Sequence, residues 1–247
     1  MQRHRFYAPP SAISGSRVTL SGDEAHHLSR VLRLGEGAHV FVFDGQGTEF
    51  ECRIASPARQ SVQLDVLARL ENKVESPLRL TLGQALVKGD KFDLVIQKAT
   101  ELGVTRIVPL ATEYSDVLLR EGRAENRLHR WRRIALEAVK QCGRRSLVEI
   151  TEPKSFAEFC EVDNDELKLI FAESGGQSLR ELMTGRAATI KAITLAIGPE
   201  GGWHKGELTL AACQDFIPVS LGARILRTET AAIAAVTLAQ FLAGDLT

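Results

Sequence analysis

The chain has 247 residues, of which 44% are hydrophobic and 25% are charged, and its 31 basic and 31 acidic side chains leave no formal net charge. This composition is ordinary for a globular protein, and zero net charge argues against a protein that coats nucleic acid without selectivity. No apolar run approaches the ~20 residues that span a bilayer, and the first residues do not resemble a signal peptide. We therefore expect a cytoplasmic protein of one large or two modest domains.

The four cysteines form no recognisable metal or redox motif. Cys52, Cys142, Cys160 and Cys213 are scattered along the chain, and their spacings match neither zinc ligands nor a Cys-x-x-Cys pair. We therefore predict free, buried thiols and no bound metal.

The first part of the chain predicts a small, mostly β domain. A short helix is expected over Gly22–Leu34, with Leu28, Val31 and Leu32 facing inward. Alternating apolar residues then predict strands over Ala38–Asp44, Thr48–Ala55 and Ser61–Leu70. The polar stretch Glu71–Pro77 ends in proline and is typical of a linker. We therefore place one domain at residues 1–72 and a second at 73–247.

Near the N-terminus, cations alternate with aromatic side chains. Arg3 and Arg5 precede Phe6 and Tyr7, and this composition suits contacts to phosphates together with stacking on bases. Five residues at a terminus are a weak signal on their own.

Beyond the linker the pattern changes to strand, helix and strand. Leu78–Ala85 and Val104–Leu110 predict buried strands, and Asp90 begins a helix that Gly103 ends. Such a βαβ unit implies a parallel sheet. The inward stripe of the helix is predicted to consist of Phe92, Val95, Ile96, Ala99 and Leu102.

A basic helix follows. The segment Arg120–Arg145 carries nine Lys or Arg against three acids, whereas Glu149–Glu173 carries eight acids against two lysines. This asymmetry favours a positive face for a polyanion, with a merely solvated helix face as the alternative. A helix is expected over Arg127–Cys142. It should bury Trp131, Ile134, Ala135, Ala138 and Cys142 and expose Arg130, Arg132, Arg133 and Lys140.

The C-terminal part of the chain contains two loops, each set between a strand and a helix. Ala192–Ile197 predicts a strand buried on both faces, and the glycine-rich loop Gly198–Trp203 leads to a helix over Lys205–Cys213. The strand Phe216–Ser220 and the loop Leu221–Arg227 lead to a helix over Thr228–Leu242, with Thr228 as its N-cap. A third ligand-side loop, Glu173–Gly176, is expected after a buried strand over Leu167–Ala172.

Loops at strand ends are where open α/β sheets bind ligands. Neither C-terminal loop has the Lys-Ser/Thr of a phosphate-binding P-loop or the Gly-x-Gly-x-x-Gly spacing of a dinucleotide fold. The glycines of a lone Gly-Pro-Glu-Gly-Gly could also be turn residues only.

Motifs in five segments together resemble one family. They are Ile197–Gly202; Leu221-Gly222 with Ile225–Ala231; His27-Leu28 with Val31–Arg33; Gln84–Leu86 with Lys88–Lys91; and Glu101–Gly103. In their order along the chain, these segments are similar to the RsmE family of the SPOUT superfamily. Its members methylate N3 of a uridine in small-subunit (16S) ribosomal RNA. The resemblance spans nearly the whole chain.

The resemblance implies an α/β fold with a C-terminal SPOUT-type parallel sheet tied in a trefoil knot, and a small N-terminal PUA-like β-barrel domain. It also implies a homodimer and S-adenosylmethionine as cofactor, with 16S ribosomal RNA or the small ribosomal subunit as partner. The cofactor-binding residues would be Leu195, Ile197, Gly198, Pro199, Glu200, Gly201, Gly202, Leu221, Gly222, Ile225 and Leu226.

Three residues are candidates for catalysis. Arg227, at the start of the last helix, could stabilise the anion that forms when uracil N3 loses its proton. Glu229 could accept that proton, be a structural partner of Arg227 or be a helix-start charge. Lys88 could hold an RNA phosphate, stabilise negative charge on the base or be a surface lysine. The candidates for RNA contact are Arg3, Arg5, Arg33, Lys91 and Arg145. The alternatives are a tRNA ribose 2′-O-methyltransferase of the same superfamily and a non-catalytic ribosome-assembly factor.

Overall fold

The computed structural model describes residues 3–57, 61–70, 75–115, 124–161, 167–173, 175–185 and 189–247. The chain divides into two compact units. The first unit is Met1–Glu75 with Val139–Leu147, and the second is Ser76–Ala138 with Val148–Thr247. The predicted boundary between residues 72 and 73 lies outside the described residues. The assignment of Val139–Leu147 to the first unit has no counterpart in the sequence pattern.

A six-stranded mixed sheet forms the first unit. Its order is β1-β4-β5-β6-β3-β2, with β1 and β4 parallel and the other neighbours antiparallel. The strands are β1 (Arg5–Tyr7), β2 (Ile13–Ser14), β3 (Arg17–Ser21), β4 (His39–Phe43), β5 (Glu49–Pro57) and β6 (Ser61–Leu70). The mostly β domain is therefore confirmed, and β4 to β6 match the three predicted strands. The pattern does not predict β1, β2 or β3, which are short.

The helical segment of the first unit differs from its prediction. The helix α1 (Gly22–His26) continues as one π-helical turn over His27–Val31 and ends well before Leu34. A π-helical turn holds more residues than an α-helical turn, so a stripe drawn at 3.6 residues per turn no longer follows one face. Leu28 is fully buried as predicted, but Val31 is 62% exposed and its predicted burial is wrong.

Two arginines of the first unit converge on one buried carboxylate. Arg5 Nε donates to Glu49 Oε1 at 2.7 Å, and Arg145 Nη2 lies 3.2 Å from Glu49 Oε2. All three side chains are at most 8% exposed. The remaining donors of Arg5 reach the carbonyl oxygens of Val139 and Lys140 at 3.0 Å and of Arg144 at 2.8 Å. The last carbonyl groups of a helix have no hydrogen-bond donors within the helix. Arg5 supplies donors for two of them, Val139 O and Lys140 O, and for Arg144 O just beyond the helix.

This arrangement corrects three predictions. The guanidinium groups of Arg5 and Arg145 are buried and hydrogen-bonded within the first unit, so their positions do not support the predicted RNA contacts. Lys140 was expected on an exposed face, but its Nζ donates to Glu24 Oε1 at 2.9 Å and its side chain is 9% exposed. In each case the physical reason is a partner distant in sequence.

Glu49→Gln should destabilise the first unit much more than removal of an exposed carboxylate. The substitution leaves two buried arginines without their counter-charge, and breaking a buried pair in this way costs about 3–5 kcal/mol. The control is Asp65→Asn, since Asp65 pairs with Arg17 at 3.8 Å with both side chains exposed and such pairs contribute less than about 1 kcal/mol. Denaturant unfolding measures both. Equal shifts in the two variants would contradict the buried role of Glu49.

An all-parallel, eight-stranded sheet forms the second unit. The strands are β7 (Arg79–Ala85), β8 (Arg106–Ala111), β9 (Glu149–Ile150), β10 (Lys154–Ser155), β11 (Leu167–Phe171), β12 (Gln177–Ser178), β13 (Ala192–Ile197) and β14 (Ile217–Ser220). Their order is β10-β8-β7-β13-β11-β14-β12, with β9 paired to β8. The predicted α/β class and parallel sheet are confirmed. The trefoil knot that the resemblance implies stays a prediction.

Among the described residues, five α-helices connect these strands and a sixth follows the last strand. They are α2 (Lys91–Glu101), α3 (Ala124–Cys142), α4 (Phe156–Cys160), α5 (Leu179–Met183), α6 (Lys205–Cys213) and α7 (Thr228–Ala243). The bounds of β13 and α6 are those predicted, and all six residues of β13 are buried, as expected for a central parallel strand. Among the described helices, none combines the length and apolar character that crossing a membrane requires.

The cysteines divide into two classes. All four are free thiols, with Cys52 and Cys160 buried but Cys142 and Cys213 exposed. The predicted burial is therefore right for two of them and wrong for the other two. Cys142 is the last residue of α3 and lies beyond the buried stripe of Trp131, Ala135 and Ala138.

In the native protein, a thiol reagent near pH 8 should modify Cys142 and Cys213 quickly and the other two slowly. Burial raises the pKa of Cys52 to about 12 and that of Cys160 to about 11, so both remain protonated at this pH and the reactive thiolate is scarce. Peptide mapping of the labelled protein identifies the modified residues. Fast labelling of all four thiols without denaturant would contradict this division.

Candidate active site

The C-terminal loops of the second unit enclose one cavity of ≈ 700 Å³. The cavity lies where β11, β13 and β14 end, since the residues that follow each of these strands line it. These strands are neighbours in the parallel sheet, so their carboxyl ends bring the three loops together. The lining residues are Lys91, Phe171, Ala172, Glu173, Ile197, Gly198, Pro199, Glu200, Gly201, Gly202, Trp203, Leu208, Leu221, Gly222, Arg224, Ile225, Leu226, Arg227, Thr228 and Ala231.

The loop after β13 is folded back on itself. Gly202 N donates to Pro199 O at 3.0 Å, and Gly202 has a φ of 74°, which favours glycine. Trp203 Nε1 donates to Phe171 O at 2.9 Å, which ties this loop to the end of β11. A Cβ at Gly198 would lie 3.1 Å from the Trp203 ring. A side chain at this position would therefore crowd the indole ring.

Thr228 joins the loop after β13 to the start of α7. Its Oγ1 donates to Gly198 O at 2.7 Å and accepts from Gln84 Nε2 at 3.0 Å. Thr228 is 4% exposed and Gln84 is fully buried. The N-cap position belongs to Arg227, which makes no side-chain cap, so the prediction that Thr228 is the N-cap is wrong. Its hydroxyl binds the other loop instead of an amide of its own helix.

Lys91 and Glu200, predicted separately for RNA and cofactor, form an ion pair with each other. Lys91 is the first residue of α2, Glu200 lies in the loop after β13, and both line the cavity. Their side chains are 35% and 54% exposed. A pair this exposed contributes little to stability, so either group remains available to a ligand.

The structure brings most of the predicted cofactor residues to this cavity. Ten of the eleven line it, and so do Lys91 and Arg227. Leu195 does not, because it is fully buried inside β13, two residues before the strand ends. Lys88 and Glu229 also lie outside the described lining. The predicted third loop includes Glu173, which was not singled out as a site residue. The other lining residues that the pattern did not single out as site residues are Phe171, Ala172, Trp203, Leu208, Arg224, Thr228 and Ala231.

The remaining predicted RNA residues belong to the first unit. Arg3 is exposed, and its guanidinium carbon lies 4.8 Å from the centre of the Phe41 ring. Arg33 is also exposed, with a φ of 52°. Both remain candidates for contact with a polyanion.

Glu229 lies in the first turn of α7, where the helix dipole favours a carboxylate. Its Oε2 is buried and has no hydrogen-bond partner among the described residues. Within the same residues, no group of three or more His, Cys, Asp or Glu could hold a metal ion. The charged side chains of this region are thus Lys91, Glu173, Glu200, Arg224 and Arg227 in the lining, together with Glu229 in the first turn of α7.

Comparison with known proteins identifies the family. A model of the RNA methyltransferase domain matches residues 74–240, and a model of the RNA methyltransferase PUA domain matches residues 20–67. The chain is 37% identical over 230 residues to ribosomal RNA small subunit methyltransferase E of Synechocystis, covering 92% of this chain and 74% of that one. The chain belongs to the RsmE family. A Bacillus subtilis relative of the same name is 30% identical over 92% of both chains.

Solved structures of similar proteins agree with the RsmE assignment. A Legionella pneumophila methyltransferase in complex with S-adenosylmethionine matches with a TM-score of 0.92 and 34% identity over 100% of both chains. Ribosomal RNA small subunit methyltransferase E of Neisseria gonorrhoeae, bound to the same cofactor, has a TM-score of 0.90, also at 34% identity and full coverage. The predicted SPOUT-type α/β fold with a PUA-like domain is therefore confirmed.

Thr228→Val should destabilise the second unit, whereas Thr228→Ser should leave it nearly unchanged. Valine keeps the shape of threonine but removes the hydroxyl that donates to Gly198 O and accepts one N–H of Gln84 Nε2, while Gln84 Nε2 still donates to Ala85 O at 3.0 Å. An unpaired buried group costs about 1–3 kcal/mol. Serine keeps the hydroxyl. Denaturant unfolding followed by tryptophan fluorescence measures the difference, since Trp203 lies in the affected loop. Similar midpoints for the valine and serine variants would show that the hydroxyl is unimportant.

Proposed function

We propose that this protein transfers the methyl group of S-adenosylmethionine to N3 of a uridine in 16S ribosomal RNA. Membership of the RsmE family and the single cavity lined by both glycine loops support this proposal. The protein would act in the cytoplasm, where ribosomal RNA is available to such an enzyme, and its partner would be the RNA itself or the small ribosomal subunit.

The residues of the cavity fit this cofactor. A volume of ≈ 700 Å³ lies within the usual range for small-molecule sites. Gly198, Gly202 and Gly222 allow backbone groups to approach a flat adenine closely, while Ile197 and Leu226 provide apolar walls. Lys91 and Glu200 offer opposite charges for the amino-acid part of the ligand. When bound, the sulfonium supplies an electrophilic methyl group.

Arg227 is placed to stabilise negative charge on the base. It lies at the N-terminus of α7, its side chain is exposed, and it lines the cavity. Loss of the N3 proton places charge on the uracil carbonyl oxygens, and a guanidinium hydrogen-bonded to one of them lowers the energy of that anion. The helix N-terminus adds a favourable partial charge.

Glu229 and Lys88 have supporting roles in this proposal. The unpaired carboxylate oxygen of Glu229 makes it the candidate acceptor of the N3 proton. Lys88 is exposed in the loop after β7 and would hold an RNA phosphate. Arg3 and Arg33 on the first unit would contact the RNA backbone as well.

A homodimer is also part of the proposal. Of the alanines on α7, Ala232, Ala235 and Ala239 are buried within the unit, so they serve its own core. The opposite side of the helix exposes Leu238 by 37% and Phe241 by 61%. Exposed large apolar side chains on one helix face are a surface that a second copy could cover.

The function is tested by incubating the protein with methyl-labelled S-adenosylmethionine and small subunits from cells that lack the gene. Mass spectrometry of the digested nucleosides should show N3-methyluridine. A ribose 2′-O-methyl nucleoside would instead support the alternative superfamily activity. Absence of cofactor binding by calorimetry would support a non-catalytic assembly factor.

Arg227→Ala should lower turnover at saturating cofactor by about 100-fold or more, because a preorganised donor to a developing oxyanion contributes that much. Cofactor affinity should change by only a few-fold. The control is Arg180→Ala, since Arg180 is exposed on α5 and outside the cavity lining. If Arg227→Ala folds normally and keeps turnover within a few-fold of wild type, the role assigned to Arg227 is wrong.

A further inference from the structure

A second groove lies beside the loop after β13. It has a volume of ≈ 630 Å³ and forms between the end of β8, the start of α4 and the start of α6, all within the second unit. Its described lining consists of Ala111, Thr112, Glu113, Ser115, Phe156, Ala157, His204, Gly206, Glu207 and Leu210. Of these residues, only His204 borders the loop that also lines the cofactor cavity.

Tyr114 lies on a hydrogen-bonded turn between Glu113 and Ser115, which both line the groove. Ser115 N donates to Thr112 O at 3.0 Å, and the hydroxyls of Thr112 and Ser115 are 2.6 Å apart. The Tyr114 ring meets His204 edge-on, with centroids 5.8 Å apart and an interplanar angle of 83°. Tyr114 nevertheless remains 48% exposed. A half-exposed ring that packs against another aromatic side chain is a platform for another flat group.

The groove and the cofactor cavity lie on two sides of one loop. A Cβ at Gly201 would lie 3.0 Å from the Tyr114 Cβ, so Tyr114 is in close contact with Gly201. Gly201 itself lines the cofactor cavity. A ligand stacked on Tyr114 would therefore be separated from the cofactor cavity by the thickness of a single loop.

The chemistry of the groove suits a nucleobase better than a phosphate. Its described lining contains no lysine or arginine, whereas Glu113 is exposed and can accept hydrogen bonds from N–H groups. The oxygens of Glu207 already accept from Glu113 N at 3.0 Å and from His204 N at 2.9 Å. The available groups are thus one carboxylate, two hydroxyls and aromatic surface. Base edges present the matching donors and acceptors.

We propose that this groove, with Tyr114 as its stacking platform, binds an unpaired RNA base adjacent to the base that is methylated. The inference rests on the proposed function. Withdrawing a target base from its stack leaves its neighbours unstacked, and proteins recognise such bases by stacking them on aromatic side chains. Tyr114 is thereby assigned to substrate binding and not to the methyl transfer itself.

Three substitutions separate stacking from other roles of Tyr114. Tyr114→Phe keeps the ring and loses the hydroxyl, Tyr114→Leu keeps apolar volume without a flat face, and Tyr114→Ala removes both. The probe is a fluorescently labelled single-stranded RNA of about a dozen nucleotides, a length typical of single-strand sites, with the same sequence as a duplex for comparison. Fluorescence anisotropy measures binding, and steady-state kinetics on small subunits gives KM and kcat separately.

Tyr114→Ala and Tyr114→Leu should weaken single-strand binding and raise KM for the subunit by about tenfold, as expected for loss of one stacked base. Tyr114→Phe should behave like wild type, and cofactor affinity and kcat should stay within twofold in all three. Unchanged single-strand binding in a folded Tyr114→Ala variant overturns the proposal. So does a loss of cofactor affinity equal to the rise in KM, because Tyr114 would then merely support the loop at Gly201.

Failure of this inference is distinguishable from failure of the proposed function. If wild type forms no N3-methyluridine but binds single-stranded RNA through Tyr114, the proposed function fails and the groove is retained. If wild type methylates the subunit with no dependence on Tyr114, the function is retained and the groove assignment is overturned.

Discussion

One hydroxyl group connects three elements around the cavity that we propose for the cofactor. Thr228 Oγ1 has a single proton, which goes to Gly198 O, so Gln84 Nε2 must donate to it in turn. The ends of β7 and β13 and the start of α7 are thereby fixed to one another. The arrangement leaves Gln84 Oε1 buried without a partner among the described residues. An unpaired buried acceptor costs about 1–3 kcal/mol, and this cost accompanies the fixed position of the loop.

Local signals predicted the catalytic unit well. The β-branched run Ala192–Ile197 predicted β13, and the segment after its glycine loop predicted α6. The strand–helix–strand pattern of residues 78–110 predicted the parallel sheet. Loops that follow parallel strands lie at one edge of the sheet, so Gly198–Gly202 and Leu221–Leu226 were predicted to meet there. In the structure, residues of both loops line one cavity. These properties depend on periodicity and glycine content, and the sequence displays both directly.

Properties that depend on distant partners were not predictable in this way. Arg5 has the composition of an RNA-binding residue, yet its donors satisfy the end of α3, more than 130 positions away. Thr228 has the ideal residue type for an N-cap but bonds to Gly198 instead. Tyr114 stands in no recognisable motif, and only folding brings it against Gly201. Residue type alone cannot distinguish these arrangements.

The first unit is formed by two separate segments of the chain, and this affects how it folds during synthesis. The second of these segments is Val139–Leu147. Its carbonyl groups accept hydrogen bonds from Arg5, and its Arg145 forms an ion pair with Glu49. During synthesis, residues 1–75 therefore leave the ribosome with Arg5 but without Arg145, the second of the two arginines that pair with Glu49. The N-terminal unit can be completed only after residue 147 has emerged, when much of the second unit's sequence is already present. Its maturation is coupled to that of its neighbour, and a gene fragment encoding only the first 75 residues would yield an incomplete module.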